Sequence, residues 1–319
     1  MAALPSLRQL HYLTALADSL NFTRAAEACF VSQSTLSAGL KELESVLDLQ
    51  LVERDRQSVA FTPAGLAVLG RARALLASAQ DLAELARRAA KPMQGTIRLG
   101  VIPTIAPFLL PEVIAQMRKD YPELKFALRE DLTANLLERL RNHQLDMALI
   151  ALPYDTNDLI SKKLFDDEFW LVAHPNDPAL QGQKISLPAK VAERLLLLEE
   201  GHCLREHTMA ACRRAEIASA EGIEATSLLT LIQMVESNMG IALIPEMAMR
   251  SGLLNHTTLT GRPLADPAPK RTIALVTRPS SARIGEFEML AKTIAQNHRQ
   301  AREAVTNATT RRKSARHKT

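Results

Sequence analysis

The strongest constraint on the fold is a change in the sequence pattern at Thr96. From there, short runs of β-branched and aliphatic residues alternate with segments whose apolar residues recur at helical spacing. The predicted strands are Thr96–Ile102, Leu124–Leu128, Leu145–Leu152, Phe169–Ala173, Leu195–Leu198, Ile241–Ile244 and Thr272–Thr277. The predicted helices are Leu109–Asp120, Thr133–Gln144, Cys203–Ala215, Leu228–Asn238 and Ile284–Arg299. This alternation predicts an α/β region with parallel strands and crossover helices, and the number of strands predicts two lobes.

The net charge does not by itself indicate nucleic-acid binding. The 319 residues carry a formal charge of +4, but residues 299–319 contain seven Lys and Arg residues against one acid. Because residues 305–319 have almost no bulky apolar side chain, they are predicted to be a disordered basic tail. Residues 1–63 hold five basic and seven acidic residues, so DNA binding there has to depend on a local motif.

The composition predicts a folded cytoplasmic protein that does not contact a membrane. The longest apolar runs are far shorter than the roughly 18 residues of a membrane-spanning helix, and no signal-peptide pattern is present. Three cysteines are too few for a secreted disulfide scaffold. An aromatic content of 4% argues against a stacking platform for single-stranded nucleic acid.

Residues 1–62 have the pattern of a small helical unit that ends in a hairpin. Thr23 and Ser32 are the predicted caps of its second and third helices. The third helix opens with side chains that suit base edges and phosphates in a major groove, Ser32, Gln33, Ser34 and Thr35. These are also ordinary residues for a helix start, so individual base contacts stay open. The hairpin is a predicted two-stranded wing that places Arg54 and Arg56 near phosphate.

Five spaced motifs, at residues 22–27, 31–37, 43–44, 51–54 and 61–65, resemble the winged helix-turn-helix of LysR-type transcriptional regulators. Ser34 stands where the family often has proline, and serine is equally acceptable near a helix start. The resemblance implies a transcription factor that binds a double-stranded DNA operator.

A long helix is predicted to follow at residues 63–91. Pro63 opens it, and its leucines recur at spacings typical of helix pairing: Leu66, Leu69, Leu75, Leu76, Leu82 and Leu85. In LysR-type proteins this linker helix dimerises, and the resemblance implies the same here. The alternative is that the helix packs on its own domain.

Cys203 and Cys212 are spaced on one predicted helix in a way that suits a conformational switch. Gly201 permits a sharp turn, and Cys203 begins a predicted helix, where the helix dipole, Arg205 and a protonated His202 would favour a thiolate. On a continuous helix Cys212 would lie about 13–14 Å away on the opposite face. Since a disulfide needs Cα atoms within about 7 Å, a bond between the two requires residues 204–211 to unwind.

Residues 201–205 with Cys212, and the blocks 102–104, 109–111 and 225–228, resemble the peroxide-sensing branch of the LysR-type family. This implies that residues 92–304 form a two-lobed α/β regulatory domain like a periplasmic binding protein. It further implies that Cys203 is the peroxidatic cysteine and Cys212 the resolving one. Residues implied to orient hydrogen peroxide are Thr104, Thr133, His202 and Arg205. The two threonines also follow predicted strands, at the edge where α/β sheets bind ligands, although each could be a helix cap.

The same resemblance implies a homotetramer that recruits RNA polymerase as an activator and is reset by cellular thiol reductants. No cofactor is expected. The alternative to a redox role for these side chains is a zinc site built from His202, Cys203, His207 and Cys212. Their spacing, however, matches no common zinc pattern. Cys29 is expected to be a small buried residue. Arg271 and Arg278 flank a late strand; they reach the cleft or the domain interface, or else they are surface charges.

Two other functions compete with peroxide sensing. A LysR-type regulator that responds to a metabolite would bind a small anion in the cleft between the lobes, and its cysteines would be incidental. A thiol peroxidase would share the cysteine chemistry. The helix-turn-helix pattern argues against an enzyme, so peroxide-responsive transcription is the favoured hypothesis.

Overall fold

The structure is a computed structural model that describes residues 4–54, 59–88, 93–182, 185, 187, 189–212 and 224–316. The chain divides into two compact units, Met1–Pro92 with Arg141–Gln144, and Met93–Leu140 with Leu145–Thr319. Within the described ranges no helix combines the length and the apolar character needed to cross a bilayer.

The first unit is a three-helix core followed by a hairpin and a long helix. Its elements are α1 (Leu7–Ser19), α2 (Phe22–Ala28), α3 (Gln33–Leu47), β1 (Val52–Arg54), β2 (Val59–Phe61) and α4 (Pro63–Arg88). Buried leucines of α1 and α3 form the centre of the core, Leu10, Leu13, Leu16, Leu36, Leu40 and Leu43. Within each helix these leucines are spaced three or four residues apart, so one face of each helix is apolar.

The predicted wing is confirmed. β1 and β2 pair antiparallel, and the residues between them that include Arg56 lie outside the described ranges. The carboxylate of Glu44 on α3 accepts the main-chain N–H groups of Leu51 and Val52 at 2.9 and 3.1 Å. This contact fixes the start of the wing against the third helix.

Side-chain caps set where α2 and α3 begin. Asn21 caps α2, because its Oδ1 accepts the N–H groups of Thr23 and Arg24 at 3.0 and 3.1 Å. Thr23, the predicted cap, is instead the second residue of the helix. Ser32 caps α3 as predicted, accepting the N–H of Thr35 at 3.1 Å.

The second unit contains the α/β region. Its strands are β3 (Gly95–Val101), β4 (Leu124–Glu130), β5 (Met147–Leu152), β6 (Ile160–Ala173), β7 (Leu197–Leu198), β8 (Glu224–Ala225), β9 (Ala242–Pro245), β10 (Thr260–Pro263) and β11 (Lys270–Thr277). Its helices are α5 (Ala106–Asp120), α6 (Thr133–Arg141), α7 (Ala189–Ala192), α8 (Cys203–Ala211), α9 (Leu228–Glu236), α10 (Glu246–Arg250) and α11 (Ile284–Arg316).

The main sheet is mixed, so the prediction of parallel strands is only partly correct. Among the described strands, seven join in the order β10-β6-β11-β5-β3-β4, with β9 also on β6. β3 runs parallel to β4 and β5, whereas β11 runs antiparallel to β5 and β6. β6 has 14 residues, of which only 169–173 were predicted. Its first half carries charged residues and is partly exposed, so it lacks the apolar run that predicts a strand.

β6 connects two lobes, as the strand count predicted. Its first half pairs with β11 and its second half with β9 and β10. Lobe 1 is the hydrophobic cluster around β3, β5, α5 and α6. Lobe 2 is the cluster around the second half of β6, with β9 and α9. β7, shorter than predicted, pairs with β8 beside lobe 2.

The last helix extends further than expected. α11 runs from Ile284 to Arg316, so that residues 305–316 are helical instead of disordered. This segment contains neither glycine nor proline, and nothing in it interrupts the helical backbone. The remaining tail residues, 317–319, lie outside the described ranges.

Candidate functional site

Cys203 lies where the two lobes meet. It is the first residue of α8 and packs into the lobe 1 cluster with 6% of its surface exposed, while the next residue, Leu204, belongs to the lobe 2 cluster. Gly201 has a φ of +91°, which turns the chain from β7 into α8. A Cβ at this position would lie 2.9 Å from Cδ1 of Leu132. The glycine therefore provides both the turn and the close approach to the start of α6.

Thr133 supplies a buried hydroxyl next to the Cys203 thiol. It is the first residue of α6, with 1% of its surface exposed. The hydroxyl is close enough to Cys203 to lower the pKa of the thiol, but its contact lacks regular hydrogen-bond geometry, and no other described residue bonds Oγ1. Buried hydroxyls nearly always have a hydrogen-bond partner. This one is therefore available to a small polar molecule at Cys203.

Arg271 is the buried cation of the site. It faces Asp167 across β11 and β6, and its Nε and Nη2 donate to Oδ2 of Asp167 at 3.1 and 3.0 Å. Nη1 donates to Oγ1 of Thr104 at 2.7 Å, and Nη2 donates to the Thr104 carbonyl at 3.0 Å. Since the Thr104 hydroxyl accepts from Arg271, its own proton is free to be donated. Arg271 is buried, with 1% of its surface exposed, so it is not the surface charge that was one of the alternatives left open.

Burial makes Cys203 a neutral thiol rather than a thiolate. Desolvation raises the pKa of the thiol above its ordinary value, and the charge of Glu206 adds to this effect. The positive charge of Arg271 and the Thr133 hydroxyl act in the opposite direction. The helix N-terminus therefore does not by itself give the low pKa that the sequence predicted.

The structure places Arg205 on partners other than Cys203, and burial disfavours the protonated His202 that the sequence predicted. Nη1 of Arg205 donates to the Leu198 carbonyl at 3.1 Å and pairs with the carboxylate of Glu224. His202 is buried with Nε2 3.7 Å from Glu199, and burial lowers its pKa, so the ring is neutral. Arg205 is two residues beyond Cys203, about 200° around the helix, which directs it away from the thiol.

Cys212 lies at the opposite end of α8. It is the C-cap residue, is half-buried and packs against the lobe 2 cluster. Cys203 and Cys212 are both reduced. Nine positions of helix separate them, equivalent to about 13–14 Å. They therefore cannot form a disulfide while α8 is intact.

The side chains predicted to read DNA are grouped at the start of α3. Ser32, Gln33, Ser34 and Thr35 are all exposed. Oγ of Ser32 lies 2.8 Å from Oγ of Ser34 and 2.7 Å from Oγ1 of Thr35, so the three hydroxyls form one cluster. Arg54 ends β1, and its side chain, like all of Arg56, lies outside what the structure describes.

Comparisons with known proteins identify the family. The family described as "Bacterial regulatory helix-turn-helix protein, lysR family" matches residues 7–66, and the family "LysR substrate binding domain" matches residues 90–298. The chain belongs to the LysR family.

Three LysR-type relatives share most of its length. It is 44% identical to the HTH-type transcriptional regulator EstR of Acinetobacter baylyi, over 91% of this chain and 96% of EstR. It is 37% identical to the hydrogen peroxide-inducible genes activator of Pectobacterium carotovorum, over 92% and 96% of the two chains. A solved full-length OxyR variant from Pseudomonas aeruginosa is 34% identical with a TM-score of 0.76, covering 92% of this chain and 98% of OxyR.

Two groups in this LysR-type protein were missed by the sequence reasoning. Asp167 lies in a run of three acidic residues that is typical of a solvated strand, and its burial follows only from its pairing with Arg271. His207 was weighed only as a zinc ligand. Within the described residues, no group of three His, Cys, Asp or Glu side chains has a metal-binding arrangement, and His207 instead bonds the Leu152 carbonyl.

Proposed function

We propose that this LysR-type protein is a hydrogen peroxide-responsive transcriptional activator in which Cys203 is oxidised and then forms a disulfide with Cys212. The observation that carries the proposal is the buried Cys203 thiol beside the buried Thr133 hydroxyl and the charge of Arg271. The similarity to a hydrogen peroxide-inducible genes activator and to OxyR supports the same activity.

The first step is attack of the Cys203 thiolate on one oxygen of hydrogen peroxide. The S–O bond forms as the O–O bond breaks, giving a sulfenic acid at Cys203 and, with the thiol proton, one molecule of water. The hydroxyls of Thr104 and Thr133 hydrogen-bond the peroxide and orient it. Arg271 stabilises both the attacking thiolate and the negative charge that develops on the leaving oxygen.

The second step joins the two cysteines. The Cys212 thiol attacks the sulfenic sulfur, an S–S bond forms, and the hydroxyl leaves as a second water. Since the intact helix holds the cysteines too far apart, residues 204–211 have to unwind, and the packing of α8 between the lobes changes. Cellular thiol reductants supply the two electrons that restore the thiols.

The change in the regulatory domain is transmitted to DNA-binding dimers. α3 of each subunit enters a major groove of a double-stranded operator with Ser32, Gln33, Ser34 and Thr35, supported by Arg54 and Arg56 at phosphates. The activator recruits RNA polymerase, and the whole cycle takes place in the cytoplasm.

The dimer forms through α4, and two dimers make a tetramer. Leu75 and Leu82 lie seven residues apart on α4 and are 55% and 70% exposed, as expected for a helix that pairs with a second copy. Replacing both with Glu is expected to give monomers in analytical ultracentrifugation and to abolish operator binding. Retention of the native assembly would contradict the role of α4.

The test compares operator footprints of full-length protein before and after a short peroxide pulse. Cys203→Ser and Cys212→Ser are expected to give the same footprint under both conditions. The matched control is Cys29→Ser, because Cys29 is the third cysteine and lies at the end of α2; its footprint is expected to change as in the native protein. A peroxide response that survives in Cys203→Ser overturns the proposal.

The second candidate is a metabolite-responsive regulator, favoured by the 44% identity to EstR, whose name does not refer to peroxide. A cation with unused hydrogen-bond donors would favour an anion in the cleft. Arg271 already donates to Asp167 and Thr104, which disfavours anion binding there. A change of footprint that requires a metabolite and persists in Cys203→Ser would establish this candidate instead.

A further inference from the structure

We propose that His207 is a positioning residue whose hydrogen bond to the Leu152 carbonyl holds α8 in its reduced conformation and limits the rate at which oxidised Cys203 reaches Cys212. This inference rests on the proposed function above and adds the residue that controls its second step.

The bond joins α8 to the sheet of lobe 1. Nε2 of His207 lies 2.9 Å from the carbonyl oxygen of Leu152, the last residue of β5. A carbonyl can only accept, so Nε2 carries the hydrogen and Nδ1 carries the lone pair of the neutral ring. Burial, and then the charge of Arg271, lower the pKa of His207 and keep the ring neutral.

The position of His207 makes this bond an obstacle to disulfide formation. His207 lies four residues after Cys203 and five before Cys212, in the middle of the segment that has to unwind. The other polar contact of α8 described above, from Arg205, reaches Leu198 and Glu224 beside lobe 2. Cys212 also packs on lobe 2, so the Arg205 contact can move together with Cys212. The His207 bond to Leu152, in contrast, ties the helix to lobe 1, which holds Cys203.

Removing this bond should separate the two chemical steps. His207 donates no hydrogen bond to Thr133, Thr104 or Arg271 in the described structure, and its contact with Cys203 is to the main chain and not to the thiol, so the rate of sulfenic acid formation is expected to stay within twofold. The loss of one neutral hydrogen bond from the reduced state is expected to accelerate disulfide formation about three- to tenfold.

The test uses full-length native protein, His207→Leu and His207→Gln. Leucine fills the space without a donor, and the amide of glutamine carries a donor at a similar reach. Rapid quenching after peroxide addition, followed by thiol trapping and mass spectrometry, gives the two rates separately. We expect a faster disulfide step in His207→Leu and the native rate in His207→Gln. An unchanged or slower disulfide step in His207→Leu overturns the inference, as does acceleration of both variants alike.

A second readout keeps this inference distinct from the proposed function. If the native protein forms no sulfenic acid at Cys203, the proposed function fails, and hydrogen exchange of the reduced proteins then tests the holding role alone. The amides of residues 204–211 are expected to exchange about three- to tenfold faster in His207→Leu than in His207→Gln. Equal exchange in the two variants contradicts the role of His207.

Discussion

Arg271 and Asp167 lie directly opposite each other on β11 and β6 and form an ion pair that is almost completely buried, with Nη2 3.0 Å from Oδ2. Oδ1 of Asp167 also accepts the main-chain N–H of Met247 at the start of α10. The pair therefore fixes the arginine that contacts Thr104 and, at the same time, joins the strand shared by the lobes to a helix.

Replacing Asp167 with Asn is expected to destabilise the protein, because it leaves the buried charge of Arg271 without a countercharge. Removal of one partner of a buried pair costs about 3–5 kcal/mol. Thermal unfolding of the full-length protein measures the effect as a lower Tm of the regulatory transition. Asp166→Asn is the matched control, since Asp166 pairs with the exposed Lys270, and its cost should be below about 1 kcal/mol. Equal losses in the two variants would contradict this account of the pair.

Thr133→Val is expected to slow the reaction of Cys203 with peroxide by about tenfold or more, because valine keeps the shape but removes the hydroxyl that we propose orients peroxide. Stopped-flow or rapid-quench measurement of sulfenic acid formation gives this rate. Thr277→Val provides the control, because the equally buried Thr277 hydroxyl donates to the Asp146 carbonyl instead. Native kinetics in Thr133→Val would exclude Thr133 from the reaction.

The oxidation rate is expected to rise with pH. Burial raises the pKa of Cys203 above its ordinary value, so the thiol is protonated at neutral pH and the reactive thiolate increases about tenfold per pH unit below that pKa. The measurement is the rate of sulfenic acid formation between pH 6.5 and 8.5 in Cys212→Ser, where the product cannot condense. A rate that is constant over this range would mean that Cys203 is already a thiolate.

Phe30 is expected to limit the stability of the DNA-binding unit. It follows the C-cap of α2 with a φ of +55° and is 96% exposed, so its ring gains little from packing. Phe30→Gly should raise the free energy of unfolding of this unit by about 1 kcal/mol, because glycine adopts the left-handed conformation without a steric penalty. Phe30→Ala keeps a Cβ and should show no such gain in Tm. An equal gain in Tm in both variants would mean that removing the phenyl ring, and not relieving the backbone conformation, stabilises the unit.

Local signals in the sequence were sufficient to predict much of the architecture. Ser32 as a cap, Pro63 at the start of α4 and Cys203 at the start of α8 each follow from a few neighbouring residues. Strand direction was not predictable in this way, because β11 runs antiparallel to β5 through contacts between distant segments.

The sequence predicts residues for the candidate site, but it did not predict their electrostatics. Cys203, Thr104 and Thr133 were predicted from motifs. In the structure Arg271 donates to Thr104 and its charge acts on Cys203, which lies beside Thr133. The role of Arg271 depends on Asp167, 104 residues away in the chain. Arg205 is near Cys203 in sequence, but the fold directs it to Glu224. Proximity along the chain was therefore a poor guide to which cation acts on the thiol.

The most direct test of peroxide sensing through a cysteine pair is mass spectrometry of cysteine linkages in the full-length protein bound to an operator, sampled through a brief peroxide pulse. We predict that a Cys203 sulfenic acid appears first, that a Cys203–Cys212 disulfide replaces it, and that the footprint changes with the disulfide. A footprint that changes while Cys203 and Cys212 both remain thiols would contradict the account.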